Sequence, residues 1–164
     1  MRSIALFTLI ALFAVVLQTS VLPVVRIGRE TPDLLLIICV YLGLHQHTIP
    51  GAVGAFLLGY LQDAFSGGVI GLNAFGMCLV FTVVYLTSRR LWVDNALSKV
   101  VVVFLASMVK TTAIVALVVV FMSVELWRPI LSSLLVDAAL AAIISPAVFA
   151  VLSRTQLLAQ VEED

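Results

Sequence analysis

Residues Gly59–Ala74 read GYLQDAFSGGVIGLNA, and they place Asp63, amide side chains and four glycines between two long hydrophobic runs. A carboxylate at the end of a membrane helix is costly unless it is paired or wet. Glycines permit close backbone approach or turns with positive φ. The stretch therefore reads as a turn specified by contact, joining two helices of an apolar bundle.

The rest of the 164-residue chain supports that reading. It is 63% hydrophobic and 11% charged, with a mean hydropathy of +1.23. Soluble domains carry roughly 25% charged residues, so these proportions predict an all-α integral membrane protein with little mass outside the bilayer. The formal net charge is zero, which gives no footprint for a nucleic-acid partner. Cys39 and Cys78 lie inside hydrophobic runs and read as small core residues. Arg2 followed by the run Ile4 to Leu17 is similar to a secretory signal. Apolar character resumes through Val21–Val25 without a convincing cleavage site, so a retained signal anchor is expected.

About 20 apolar residues make a span, and shorter runs serve where a helix is tilted or shielded. Six runs qualify. They cover Ser3 to Val25, Pro32 to Leu44, Pro50 to Phe65, Leu72 to Ser88, Ser98 to Met122 and Pro129 to Ser153, with Pro146 placed to kink the last. The second and third are short, and suit a tilted or shielded hairpin. A single polytopic domain is expected over 1–155, followed by a short acidic cytoplasmic tail, 156–164. With the amino terminus inside, Arg2, Arg89, Arg90, Lys99 and Arg154 fall on the inner side. Arg26, Arg29 and Arg128 fall outside, which favours both termini in the cytoplasm. Trp92 and Trp127 then lie near opposite interfaces.

Few residues could carry chemistry. Lys110 sits near the centre of the fifth run, where an unpaired cation costs about 2.5–3.5 kcal/mol on insertion scales. Asp137 on the sixth run is its expected partner in an antiparallel hairpin, although Lys110 lies deeper by roughly 8 Å. Asp63 is the competing partner. Asn73 either caps the helix it begins or meets Asp63 across the turn. Gly51, Ala55 and Gly59 recur every fourth residue, and Asp63 extends the stripe, a spacing that lets a helix of this or another chain approach closely. His45 and His47 are two apart and do not share a helical face, so a metal site is not expected. No phosphate-binding loop, zinc-protease helix or serine-nucleophile elbow occurs. Nothing in the pattern suggests an enzyme or a cofactor.

Pro32-Asp33-Leu34-Leu35-Leu36, then Val40-Tyr41-Leu42-Gly43-Leu44-His45, then Gly59 with Asp63, Ser66-Gly67-Gly68 and Gly71-Leu72-Asn73-Ala74 together resemble the rod shape-determining protein MreD family. The resemblance implies a bacterial inner-membrane protein of the cell-elongation machinery that binds MreC through its transmembrane and juxtamembrane region. Indirect links to MreB and to a SEDS glycosyltransferase with a class B penicillin-binding protein would follow. It also implies a fold similar to the substrate-binding subunits of energy-coupling-factor vitamin transporters. Asp33, Asp63, Gly67, Gly68, Gly71 and Asn73 are the motif positions it brings over, with an architectural or partner-contact role and no catalysis.

Two readings follow. One is a non-catalytic scaffold held in the lipid bilayer, docking partners through helix faces; a homo-oligomer is compatible with it. The other is a substrate-binding subunit of a small-molecule transporter, whose cavity could draw polar groups from Lys110, Thr111, Asp137 and Asn73.

Overall fold

The computed structural model describes residues 14, 18, 33–45, 49–66, 69–88, 95–122 and 127–161. Among them are five helices: α1 (Leu34–His45), α2 (Ile49–Ser66), α3 (Leu72–Ser88), α4 (Ala96–Met122) and α5 (Trp127–Val161). These match the second to sixth expected runs. The first run lies outside the described residues except for Ala14 and Gln18, as do Trp92, Gly67, Gly68, His47 and the end of the tail. The helix of the last run continues to Val161, past the expected start of the tail at 156.

The organising element is α1. Its 12 residues extend only about 18 Å at 1.5 Å per residue, too short for a hydrocarbon core of about 30 Å. The reason it is tolerated is enclosure. Every residue from Leu35 to Gly43 is buried, and α1 packs against all four of the other helices. A helix apolar on every face belongs in a core. Asp33 starts it, accepting the Leu36 backbone N–H at Oδ1 (3.1 Å) as an N-cap.

The contacts also fix the direction of α1. Its first residues lie beside the middle of α4, where Asp33 meets Lys110. At its other end Tyr41 meets the edge of the Phe149 ring at 5.4 Å, and Lys99, near the start of α4, stands over that ring at 5.6 Å. Thus α1 runs antiparallel to α4.

The long helices supply the membrane character. Leu97–Val120 within α4 and Val136–Arg154 within α5 have hydropathies of 2.3 and 2.0, yet only 22% and 33% of these windows are buried. A soluble core helix would be mostly enclosed; these keep apolar surface outward, as a membrane protein does. Hydroxyl groups on the outward side of α3 are neutralised locally. Thr82 donates to the Cys78 carbonyl (2.8 Å) and Thr87 to that of Val83 (2.7 Å), so neither needs water.

Pro146 does not end α5. A proline cannot donate to the carbonyl four residues back, which would leave Ala142 oxygen without its helical donor. Ser145 Oγ donates to that oxygen at 2.7 Å, and the helix continues through Pro146. Side-chain substitution for a missing backbone donor is how lipid-embedded helices tolerate proline.

Candidate functional site

Two polar centres sit at the bundle end where α1 begins, α2 ends and α3 begins. The first is Asp63. Its residue is only 2% exposed, and its carboxylate receives four donors from the start of α3. Gly71 N–H (2.8 Å) and Ala74 N–H (3.1 Å) reach Oδ2; Asn73 N–H (3.0 Å) and Asn73 Nδ2 (3.0 Å) reach Oδ1. These amides belong to the first turn of a helix, where backbone donors lack intrahelical acceptors and the dipole favours an anion. The charge that is misplaced at the end of α2 is thus well placed at the start of α3. Asn73 meets Asp63 across the turn, and the cap of α3 is supplied by Asp63. Gly71, at φ 100°, provides the left-handed step that turns the amides inward.

The stripe on α2 makes this geometry possible. Gly51, Ala55, Gly59 and Asp63 are all buried. A Cβ on Gly59 would stand 2.5 Å from Ala74 Cα and 2.7 Å from the Asn73 carbonyl oxygen, so the α2 and α3 backbones touch there. Of the two contacts open to the stripe, the structure forms the internal one. We expect Gly59→Ala to force the helices apart and pull Asp63 from its donors. Overpacking costs about 1–3 kcal/mol, and here the obstruction is backbone; the purified variant should unfold at a distinctly lower temperature, whereas Gly54→Ala, facing only a Leu42 methyl at 3.4 Å, should not.

The second centre joins three helices. Lys110 Nζ on α4 is ion-paired with Asp33 Oδ2 at 2.5 Å and donates to Gln62 Oε1 at 2.8 Å. Gln62 Nε2 closes the triangle, donating to Asp33 Oδ2 at 3.1 Å, and Gln18 Nε2 approaches Oδ1 at 3.5 Å. The Lys110 stem passes Gly76 of α3, where a Cβ would lie 3.3 Å from its Cγ. This corrects the expected pairing of Lys110 with Asp137 or Asp63. The short α1 begins at the level of Lys110 and delivers Asp33 directly, while Asp63 is committed to α3; Asp137 is half-buried on α5. Gln62, the amide beside Asp63 in the Gly59–Ala74 stretch, is the residue missed. One position along a helix turns a side chain by about 100°, enough to aim Gln62 at α4 while Asp63 faces α3.

Other candidates stay apart from these centres. His45 is exposed, with Nδ1 3.1 Å from the Tyr41 carbonyl, and its ring stacks on Tyr41 at 4.2 Å. Cys39 is buried and donates to the Met77 carbonyl at 3.4 Å; Cys78 is half-buried, and both are free thiols. Among the described residues no group of three or more His, Cys, Asp or Glu is placed to hold a metal ion.

The arrangement of Asp33, Asp63, Gly71 and Asn73 gives the sequence motif a physical meaning: its polar members hold helix ends together. The model of the rod shape-determining protein MreD family matches residues 1–155. The chain belongs to the MreD family. No curated protein and no solved structure matches it. As an MreD family member it has a role in determining rod shape, and its two long apolar helices accord with an inner-membrane location.

Proposed function

We propose that the chain is a non-catalytic, multi-pass scaffold of the bacterial elongation machinery, with six spans and cytoplasmic termini, that binds the transmembrane and juxtamembrane region of MreC. Through MreC it would support MreB and the paired glycosyltransferase and penicillin-binding protein in regulating cell shape and peptidoglycan synthesis. The match to the MreD family over residues 1–155 carries this reading.

The geometry suggests where docking occurs. Asp63 and the Lys110 triangle bind groups of this chain, and the small-residue stripe is buried, meeting α3 at Gly59. What α2 turns outward includes an aromatic ridge about 100° round the helix from the stripe. Phe56 is 49% and Tyr60 48% exposed, their rings 6.4 Å apart. A partner helix would gain area and shape complementarity on that ridge. The stripe residue Ala55, being fully buried, is accordingly assigned an architectural role.

Affinity purification of tagged protein from its native membranes, followed by mass spectrometry, tests the reading. MreC should accompany the wild-type chain in stoichiometric amount and be lost from Phe56→Ala/Tyr60→Ala at unchanged yield of folded protein. Retention of MreC by that variant would move the interface off α2. Absence of MreC, with an energy-coupling ATPase module or a tightly held metabolite in its place, would overturn the scaffold in favour of a transporter subunit.

A further inference from the structure

Charges within a lipid-embedded bundle are either enclosed by protein or wetted by water. The Asp33–Lys110 pair meets the first condition unevenly. The side chain of Lys110 is 7% accessible, whereas that of Asp33 remains 21% accessible. Acyl chains offer no hydrogen bonds to an open carboxylate, and leaving polar atoms to them costs several kcal/mol. The open side of Asp33 therefore faces polar matter.

Two further observations point the same way. Gln18 Oε1, whose amide nitrogen approaches Asp33, is buried without a hydrogen-bond partner among the described residues. Such an atom in a polar neighbourhood is ordinarily satisfied by water. Depth is the other. Gln62 lies four residues before the end of α2 at Ser66, about 6 Å along the axis. Beside it α4 continues from Lys110 to Met122, about 18 Å farther. The cluster thus sits at the start of α1 and about one helical turn short of the end of α2, with the longer α4 rising past it.

We propose that Asp33, Gln62, Lys110 and Gln18 form the floor of a water-filled vestibule entered from the membrane face at which α2 ends and α3 begins. Its ligand is water, and its chemistry suits uncharged hydrogen-bonding groups, since the ion pair is already neutral and two amides border it. Hydration lowers the cost of holding both charges inside the bundle, which accounts for an ion pair at the start of its central helix. The inference stands on the cluster's own geometry and does not depend on MreC binding.

Thiol accessibility tests it. In a Cys39→Ala/Cys78→Ala background, single cysteines would be placed at Gln62, Tyr60 and Ser66 of the full chain. Each would be treated, from either side of sealed membrane vesicles, with a membrane-impermeant methanethiosulfonate carrying a trimethylammonium group. Only a wetted thiol ionises to the reactive thiolate. Gln62→Cys should react from the same side as Ser66→Cys and at least about ten-fold faster than Tyr60→Cys, although Tyr60 is the more exposed position at 48%. Reaction of Gln62→Cys no faster than Tyr60→Cys, or only from the opposite side, would overturn the vestibule. Should Gln62→Cys fail to fold, Gln18→Cys, whose native amide lies 3.5 Å from Asp33 Oδ1, decides by the same comparison.

Discussion

Removing the ammonium of Lys110 alone, as in Lys110→Met, should destabilise the protein by about 3 kcal/mol, toward the lower end of the range for a broken buried pair. Asp33→Asn should cost about the same. Each leaves one charge among apolar helices, and the 21% accessibility of Asp33 moderates the penalty through solvent. The informative variant is the double one. Asn at 33 can still accept the Leu36 N–H as a cap and can exchange an amide hydrogen bond with Gln62. Met at 110 can fill the channel beside Gly76 with a stem of similar length. With both charges gone, most of the loss should return, leaving a deficit under about 2 kcal/mol. Thermal unfolding of the purified proteins in detergent, together with their abundance in membranes, measures this. A double variant as unstable as the sum of its parents would mean that the pair is not what couples α1 to α4.

That coupling was hidden from the sequence for a definite reason. The helices themselves were legible, since apolar runs and their Gly, Pro, Asp and Ser boundaries locate α1 to α4 and the start of α5 within a few residues, while α5 continues to Val161, eight residues past Ser153. So was a close approach to α2, because small residues four apart on one helix mark such a contact wherever the partner is, although the spacing left open which helix makes it. The partner of Lys110 was different. Counting depth along a hairpin favours the adjacent helix and so selected Asp137. Asp33 is 77 residues away in sequence and begins a helix too short to be placed by a full-span rule. Only when α1 is seen enclosed by the other four helices does its first residue fall level with the middle of α4. Gln62 was missed for a related reason. An amide next to a carboxylate reads as part of one turn, yet the 100° step between neighbours assigns them to two centres.

Asp63 offers the sharper test of how the turn is built, because the conservative substitution should fail there. Both carboxylate oxygens accept two donors each, and each pair includes at least one backbone N–H of α3. In Asp63→Asn one oxygen becomes an NH2 group. Turned one way, that group faces the Gly71 and Ala74 amides and two hydrogen bonds become donor–donor repulsion; turned the other, it faces the Asn73 N–H and loses that bond even if the Asn73 side chain flips to accept from it. The negative charge that complements the start of α3 is lost as well. Asp63→Asn should therefore destabilise the protein nearly as much as Asp63→Ala. Each should cost about 2–4 kcal/mol, combining lost charge-assisted hydrogen bonds with unsatisfied amides. Asp63→Glu adds a methylene in the contact where Gly59 already brings backbones together, and it should recover little. If Asp63→Asn matched the wild type in unfolding temperature, the four donors would not be contributing as their geometry requires. The stripe of small residues would then be holding α2 and α3 together by packing alone. If it fell with Asp63→Ala, the carboxylate would be established as the fixed anion of the α3 terminus, one that no external ligand needs to supply.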